Sequence, residues 1–406
     1  MKRNFLLQAA LACLLTASAA AKTAVYEPLP EDLRLTSKKG IDAIYAVDLP
    51  EAQKQFGLAL RKYPDHPFPH FGVAMAKWAH LEYLEDESDP GLEKEYGELT
   101  DKAVEVGLKW IKKHPGDANA YLAVGGIYGL RARLAVQQRR WFKAWFDGKK
   151  AISNTRKAAR IDPELYDAYL GLGMYEYYTG TLPGAVKLLA RLVMSGDAQK
   201  GLEYINLCRE KGFFNAMGAK LLLIEIYTQP GSKYANTEIA VKWARELRAA
   251  YPVHAQMHFV EIVSLFEDKK YEESRREALA YLKAVNDGVP AYRRRYLPRV
   301  LTAIGTTYLV EKKYDEAADY FAKAAATIKE DPAAHPARWA VWAIVRQANV
   351  HDLRGARDKA VALYKEAGNY KDEWGFVEFI DKYLKKPYTE AELPGALPPP
   401  CWKRPL

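Results

Sequence analysis

Cysteine is scarce in this sequence. The 406 residues include only Cys13, Cys208 and Cys401, which lie far apart and have none of the paired spacings of a zinc site. A disulfide framework of the kind that holds small secreted domains together is therefore excluded, although a single bond between Cys208 and Cys401 stays open.

Long apolar runs and a strong excess of one charge are also missing. Beyond the first residues, no stretch approaches the roughly 20 apolar residues that are needed to cross a bilayer. Lysine and arginine number 60 against 51 aspartate and glutamate residues, and this mild surplus is compatible with acidic partners without requiring them. An apolar content of 49% with 27% charged residues is ordinary for a folded chain, so disorder is not expected over most of its length.

Recognisable catalytic motifs are absent as well. The sequence has no glycine-rich phosphate loop, no nucleophile elbow and no paired cysteine motif. His254 and His258 are spaced to share a helix face, but no adjacent glutamate and no third ligand accompany them, so we predict no metal site and no cofactor. We expect a protein that is not an enzyme. The carboxylates at 85–87 leave an enzyme or accessory subunit of envelope polysaccharide metabolism as an alternative.

The N-terminus has the pattern of a secretory signal. Lys2 and Arg3 precede a short apolar core, and small residues within 17–21 provide the cleavage site. The alternative is a lipoprotein in which Cys13 is lipidated. We expect an exported protein of the bacterial periplasm or cell envelope, which disfavours nucleic acid as a partner. Removal of residues 1–21 leaves a net charge of +7.

What the sequence does contain is a helical pattern that alternates small with large side chains. Between Tyr296 and Pro332 two apolar helix faces are separated by a short charged break, which predicts a helical hairpin. Small residues lie where two helices must approach closely, and large ones fill the space beside them. The positions that define these faces are Leu301, Ile304, Gly305, Tyr308, Tyr314, Ala317, Phe321 and Ala324.

The order of these residues resembles the tetratricopeptide (TPR) repeat. A second match near the N-terminus uses Gly40, Ala52, Phe56, Ala59 and Pro64, and a third near the C-terminus uses Ala348, Ala360 and Tyr364. The resemblance implies an all-α fold, an α-solenoid of stacked antiparallel helical hairpins. It also implies a scaffold that binds another protein or a peptide on a concave inner surface, which the first helices of the hairpins line and which is free for a ligand.

Proline and glycine turns recur along the chain at an average spacing of about 45 residues, longer than the 34 of a standard repeat. We therefore expect longer hairpins and inserted helices, near 129–147 and 180–196. The predicted organisation is a signal peptide at 1–21, an extended lead-in at 22–36, the solenoid at 37–387 and a proline-rich tail at 388–406.

The centre of the chain carries a second, narrower resemblance. Residues 167–178 are rich in tyrosine and glycine, and Leu182-Pro183 and the glycines at 196–201 follow them. This segment is similar to the centre of a TPR family named for inclusion-body clearance. The resemblance implies a helical architecture for this region.

The first candidate contact surface is the aromatic and basic stretch that contains Arg139, Arg140, Trp141, Lys143 and Trp145. Tryptophan anchors apolar contacts and the cations form a charged rim, so this stretch suits an acidic partner or a membrane surface. The alternative is that the aromatic side chains are buried against the next hairpin, with the cations facing solvent.

Two further candidates are shorter. Tyr175, Tyr177 and Tyr178 come near the end of a predicted first helix of a hairpin, where tyrosine offers apolar area and a hydroxyl to a peptide, unless it packs against the second insertion. The second candidate is the cationic patch Arg293, Arg294 and Arg295, which suits carboxylates or phosphates, unless it is a solvated helix start.

The sequence thus predicts a non-catalytic exported scaffold that binds an unknown protein or peptide in the cell envelope. Repeats without a catalytic motif favour this function over the others. A membrane-peripheral assembly or lipid-associated factor, which would use the inserted helices, is the second hypothesis. The polysaccharide-related protein is the third.

Overall fold

A computed structural model of the chain describes residues 26–81, 90–138, 140–181, 196–330, 337–370 and 375–393. Within these ranges the regular structure is entirely helical and contains no β-strand. The described α-helices are α1 Glu31–Tyr45, α2 Leu49–Lys62, α3 Pro67–Ala79, α4 Pro90–Lys113, α5 Ala118–Gln137, α6 Trp141–Ile161, α7 Ala168–Gly180, α8 Ala198–Lys211, α9 Ala216–Tyr227, α10 Thr237–Ala250, α11 Ala255–Glu267, α12 Tyr271–Asn286, α13 Leu297–Val310, α14 Tyr314–Ala326, α15 Arg338–Leu353, α16 Arg357–Gly368 and α17 Val377–Lys385.

Neighbouring helices in the chain are also neighbours in space. The eight pairs from α1/α2 to α15/α16 form hairpins, each hairpin packs on the next, and α17 packs on α16. First helices of adjacent hairpins also touch, as α1 with α3 and α13 with α15 do. This arrangement confirms the predicted all-α solenoid of stacked antiparallel hairpins.

Close approach at small residues holds each hairpin together. In α13/α14, a Cβ added to Gly305 would lie 2.8 Å from the ring of Phe321. In α1/α2, a Cβ on Gly40 would lie 2.7 Å from the ring of Phe56. These clashes show that the two helix axes approach as closely as glycine allows, and the aromatic ring fills the space that the missing side chain leaves. The other small and aromatic positions of the repeat pattern that are fully buried are Ala52, Ala59, Ala317, Ala324, Ala348, Ala360 and Tyr364.

Polar side chains and prolines define the helix starts. Asp48, Asp117 and Asn236 accept hydrogen bonds from backbone N–H groups in the first turn of the helix that each precedes. Such caps satisfy donors that the helix itself leaves without partners. Proline occupies the first turn of α2 and α13, where its missing N–H costs nothing.

The predicted extended lead-in is partly helical, because α1 already begins at Glu31. Leu29 and Leu33 are buried in the same apolar cluster as Phe56 and Phe68, so burial of these leucines against α2 and α3 favours the earlier helix start.

The extra residues near 129–147 take the form of longer helices. The segment supplies the end of α5 and the start of α6, which are 20 and 21 residues long, whereas α13 and α14 have 14 and 13. We call the contact between the two helices of a hairpin its seam. Additional helical turns at the closed end of a hairpin leave the seam unchanged, since both helices lengthen together. Of the second predicted insertion, residues 182–195 lie outside the described part of the chain.

The predicted tail begins with residues that pack on the solenoid. Tyr388 is buried, and its backbone N–H donates a hydrogen bond of 2.8 Å to the Asp352 carboxylate. Glu390–Glu392 forms a single 3-10 turn. These contacts extend the ordered end beyond α17, while residues 394–406 lie outside the described ranges.

Side chains of α1 reach the middle of the array. The Arg34 guanidinium lies 4.0 Å from the ring centroid of Phe213, and the ring of Tyr45 lies 6.4 Å from that of Tyr251. A Cβ on Gly218 of α9 would be 3.3 Å from the Tyr45 hydroxyl. First helices of distant hairpins therefore meet, and the protein's own side chains occupy part of the inner surface that we expected to be free for a ligand.

Candidate functional site

The start of α6 carries an exposed group of aromatic side chains, which we call the aromatic tip: Trp141, Phe142, Trp145 and Phe146. Their exposed fractions are 53%, 84%, 37% and 56%. Within the described residues, the other large apolar side chains with this degree of exposure are scattered singly over different helices and loops. Scattered exposure is normal, whereas a contiguous group marks a contact surface. The alternative that Trp141, Phe142 and Trp145 are buried against the next hairpin is therefore wrong.

Helical spacing turns the aromatic tip directly away from the array. The four residues occupy positions i, i+1, i+4 and i+5, which share one side of a helix. The opposite side of α6 carries Asp147 and Ala158, both buried. The aromatic rings accordingly project outward, with ring centroids of Trp145 and Phe146 only 4.8 Å apart.

The helix α6 is long enough that its first turns extend past the end of α7 in the next hairpin. Thr155 of α6 lies beside Gly171 of α7, where an added Cβ would be 3.4 Å from the threonine side chain. The helix α6 has 21 residues and α7 has 13, so α6 is longer by roughly 12 Å at 1.5 Å per residue. In the described structure, α7 ends before it could cover the aromatic tip.

Positive charge surrounds the aromatic tip. Arg140, Lys143, Lys149 and Lys150 are exposed, and the Lys149 ammonium lies 4.6 Å from the ring centroid of Trp145. The one acidic side chain in the first three turns of α6, Asp147, is buried and accepts a 3.4 Å hydrogen bond from Arg131. Arg139, the remaining predicted contact residue of this stretch, lies outside the described residues.

A cavity of about 310 Å³ lies at the other end of α6, where the segment before α1 meets the turns that precede α7 and α9. We call it the tyrosine-lined cavity. Its walls combine aromatic rings with charges of both signs, and they include Tyr26, Glu31, Arg34, Asn119, Asp162, Tyr166, Asp167, Lys211, Phe213 and Phe214.

Asp167 fixes one wall of this cavity. Its carboxylate accepts hydrogen bonds from the backbone N–H groups of Phe213, Phe214 and Asn215 at 3.1, 2.8 and 2.6 Å. Burial raises the pKa of the Asp167 carboxyl, and the three donors offset part of that rise. The bonds hold the turn before α9 against the start of α7, so the wall is rigid before any ligand arrives.

A row of partly exposed tyrosines runs from the cavity along α7 and α8. The ring of Tyr169 lies 6.3 Å from Tyr166 and 5.2 Å from Tyr204. The ammonium groups of Lys211 and Lys200 lie 5.0 and 5.4 Å from the rings of Tyr166 and Tyr204. We refer to Tyr166, Tyr169 and Tyr204 as the tyrosine row. Sequence reasoning missed it, because only the three-residue spacing of Tyr166 and Tyr169 was visible and Tyr204 lies on another helix.

The predicted tyrosine group on α7 does not form one surface. Tyr177 is buried and its hydroxyl donates to Gln229 at 3.3 Å, while burial raises the pKa of Tyr178. Tyr175 is partly exposed, with the Arg156 guanidinium 4.8 Å from its ring centroid. The rings of Tyr177 and Tyr178 pack against each other, with centroids 5.4 Å apart, whereas Tyr175 contacts Arg156.

The predicted arginine patch is exposed but lies away from the aromatic tip. Arg293, Arg294 and Arg295 stand at the turn before α13, and Arg294 forms an ion pair of 2.8 Å with Glu330. This turn joins two hairpins, whereas the aromatic tip lies within a hairpin, so antiparallel packing puts them at opposite edges of the array.

His254 and His258 are buried within the protein. Burial lowers the pKa of His254 to about 4 and that of His258 to about 3, and His258 Nδ1 lies 3.0 Å from the Tyr292 hydroxyl. Over the ranges that the structure describes, no three histidine, cysteine or acidic side chains are grouped so that they could hold a metal ion. In those same ranges, no helix combines the length and apolar character that a membrane crossing requires.

Neither a protein-family model nor a curated protein matches this chain. Solved structures that resemble it share low identity. The human IFIT1 dimer with PPP-AAAA is 11% identical over 89% of this chain and 86% of that one, with a TM-score of 0.46. A tetratricopeptide repeat protein from Parabacteroides merdae is 12% identical over 88% and 98%, with a TM-score of 0.30.

The TPR domain of P58(IPK) is 16% identical over 87% of this chain and 97% of that one, with a TM-score of 0.26. These likenesses are distant. The description of this chain as a TPR-like α-solenoid therefore rests on its own hairpins, whose small and aromatic residues meet as the repeat pattern requires.

Proposed function

We propose that the protein is an exported, non-catalytic scaffold that binds a protein partner in the cell envelope of a bacterium. The observation that carries this proposal is the tyrosine-lined cavity with the tyrosine row beside it. Tyrosine is enriched at protein interfaces, because a large rigid ring gives contact area at a small cost in side-chain entropy.

The dimensions of the tyrosine-lined cavity suit a single side chain that anchors a protein partner. A cavity of about 310 Å³ is at the lower end of the range for small-molecule pockets, and Tyr166 connects it to the tyrosine row. Interfaces commonly bury one anchor in a pocket and surround it with flatter contacts. We assign the cavity to the anchor and Tyr169 and Tyr204 to the flatter contact.

Buried carboxylates support a non-catalytic function, since their hydrogen bonds are used by the fold. Asp117 accepts hydrogen bonds from the Trp110 ring and the Ala120 backbone, at 2.9 and 2.8 Å. Asp352 accepts from Arg357 at 2.9 Å, and from the Tyr388 backbone and the Tyr364 hydroxyl. A general acid or base needs a free face toward substrate, which these arrangements leave occupied.

Envelope localisation is supported by the sequence of residues 1–21 alone. The test is to express the full chain with a C-terminal tag, fractionate the cells and determine the N-terminus of the mature protein. A start at residue 20 or 22 in the periplasmic or envelope fraction is expected. A cytoplasmic protein that retains residues 1–21 would contradict this part of the proposal, and a lipidated Cys13 would replace it with the lipoprotein alternative.

The partner is tested by photo-cross-linking in intact envelopes. A photoreactive phenylalanine analogue replaces Tyr204 in one variant and Tyr320 in a matched control, since Tyr320 is also partly exposed but belongs to the regular hairpin α13/α14. We expect one discrete protein adduct at position 204 and none at position 320. Equal labelling at both positions, or no adduct at 204, would contradict a partner at the tyrosine row.

A further inference from the structure

The aromatic tip remains unexplained by a partner at the tyrosine-lined cavity, because the two surfaces lie at opposite ends of α6. At 1.5 Å per residue, the 21 residues of this helix separate them by about 30 Å. We infer that the aromatic tip docks onto an anionic lipid bilayer and holds the protein at the membrane surface.

The shape of the aromatic tip favours a bilayer over a protein partner. Its rings lie side by side at the turn end of the hairpin α5/α6, where they are exposed without a complementary surface being needed to hold them. A lipid surface needs no such complementarity. Tryptophan and phenylalanine insert at the level of the lipid headgroups.

Charge identifies the lipid class. Arg140, Lys143, Lys149 and Lys150 are exposed around the aromatic rings, and Asp147 is buried and paired with Arg131. Cations close to a surface that contains phosphatidylglycerol or cardiolipin are attracted to it, and each adds to the affinity. The same rim would gain little from a neutral bilayer.

Docking through the aromatic tip also sets the position of the tyrosine-lined cavity relative to the membrane. With the aromatic tip in the headgroup layer, the tyrosine-lined cavity stands about 30 Å farther out along α6, where a protein partner can reach it. Membrane docking is independent of the proposed partner binding, so either can fail without the other.

The test uses the purified mature chain and flotation of vesicles made of phosphatidylcholine alone or of equal parts phosphatidylcholine and phosphatidylglycerol. We expect flotation with the anionic vesicles and at least about tenfold weaker partitioning with the neutral ones. Residues 82–89, which lie between α3 and α4 in the sequence, include five acidic side chains. The comparison of neutral with anionic vesicles therefore measures the attraction of the cations net of the repulsion from these acids.

Two variants separate the aromatic and the cationic contributions. Phe142→Ser with Phe146→Ser removes exposed apolar area, and Lys143→Glu with Lys149→Glu reverses the rim. Each is expected to weaken binding by about tenfold or more. The matched controls are Val253→Ser with Leu279→Ser, which are exposed at 58% and 40% on other elements, and Lys323→Glu. The controls should float like the unmodified protein.

Thermal unfolding followed by circular dichroism verifies that every variant is folded. Absence of flotation with both vesicle types, or equal losses in the control variants, would overturn the inference. A dimer of the unmodified protein in light scattering that becomes a monomer in the Phe142→Ser and Phe146→Ser variant would also overturn the inference. In that case the aromatic tip would bind a second copy of the chain. A protein adduct from a photoreactive residue at position 142 would likewise assign the surface to a protein.

Discussion

The hairpins α13/α14 and α5/α6 share one kind of seam but differ in the exposure of their large aromatic side chains. In α13/α14, Gly305 lies against the Phe321 ring, and in α5/α6 a Cβ on Gly125 would lie 2.7 Å from the Thr155 hydroxyl. Phe321 is fully buried, whereas Phe142 is 84% exposed. The comparison teaches that the repeat pattern specifies how two helices meet, while helix length decides which large side chains the neighbouring hairpins can cover.

The same substitution in the two hairpins should separate these two roles. Phe321→Ala removes a ring that fills the seam and should lower the free energy of unfolding by about 3–5 kcal/mol, while Phe142→Ala should change it by no more than about 0.5 kcal/mol. Urea titrations of both variants measure the difference. Similar losses in the two variants would mean that the aromatic tip is part of the core.

Acid should weaken the hairpin α11/α12, which packs on α13, through the buried His258. His258 packs against Tyr281 of α12 and against Tyr292 in the turn that follows. Burial keeps its folded-state pKa near 3 although the Glu277 carboxylate lies 3.6 Å from Nε2, and the charges of Arg248 and Arg299 also lower this pKa. Because the folded-state pKa lies below the ordinary value of 6.5, the stability is complete above about pH 6.5 and is lost as the pH falls toward 3.

We expect His258 to contribute a loss on the order of 2 kcal/mol between pH 7 and pH 4.5. Urea midpoints across this range measure it, and His258→Gln should flatten the slope even if it lowers stability at neutral pH. An unchanged slope in the variant would contradict the assignment of the acid sensitivity to this residue.

Two glycines one turn apart in α5 should respond in opposite directions. A Cβ on Gly125 would also lie 3.1 Å from the Ala151 carbonyl oxygen, so Gly125→Ala should destabilise the protein by about 1–2 kcal/mol. No described atom lies within 4 Å of a Cβ on Gly129, so Gly129→Ala should add up to about 1 kcal/mol through helix propensity. Melting temperatures of both variants test whether the close contact between α5 and α6 at Gly125 has ended by Gly129.

The smallest effect is expected at the arginine patch beside α13. The pair between Arg294 and Glu330 is largely exposed, and exposed ion pairs contribute little. Arg294→Ala should therefore change the free energy of unfolding by a few tenths of a kcal/mol. A loss above about 1 kcal/mol would show that the turn before α13 is more than a solvated helix start.

Much of the fold could be predicted from the sequence, because seams depend on residues close together in the chain. Gly305 and Phe321 are sixteen positions apart, and the pairing of small and large residues at that distance is visible as periodicity. The helical start at Glu31 and the packed Tyr388 were not predictable in this way. Both depend on contacts with residues that are distant in sequence.

The candidate sites were predictable only in part. The composition of the aromatic tip was evident from residues 140–146, but the choice between burial and exposure depended on the relative lengths of α6 and α7. The tyrosine row was missed, since it joins α8 to the start of α7 across a long separation. Tyr177 was expected at a contact surface but is buried, because its ring packs on Tyr178 and on Tyr234 of a later segment.

The sequence by itself determined the helical hairpins, their small-residue seams and their turns, since these follow from local periodicity and the conformational limits of glycine and proline. Only the tertiary structure decided which surfaces are exposed. The end of α7 leaves the start of α6 uncovered, and the reach of α1 to α9 fills part of the inner surface. Such outcomes depend on how far each helix extends past its neighbours, and no single segment of sequence contains that information.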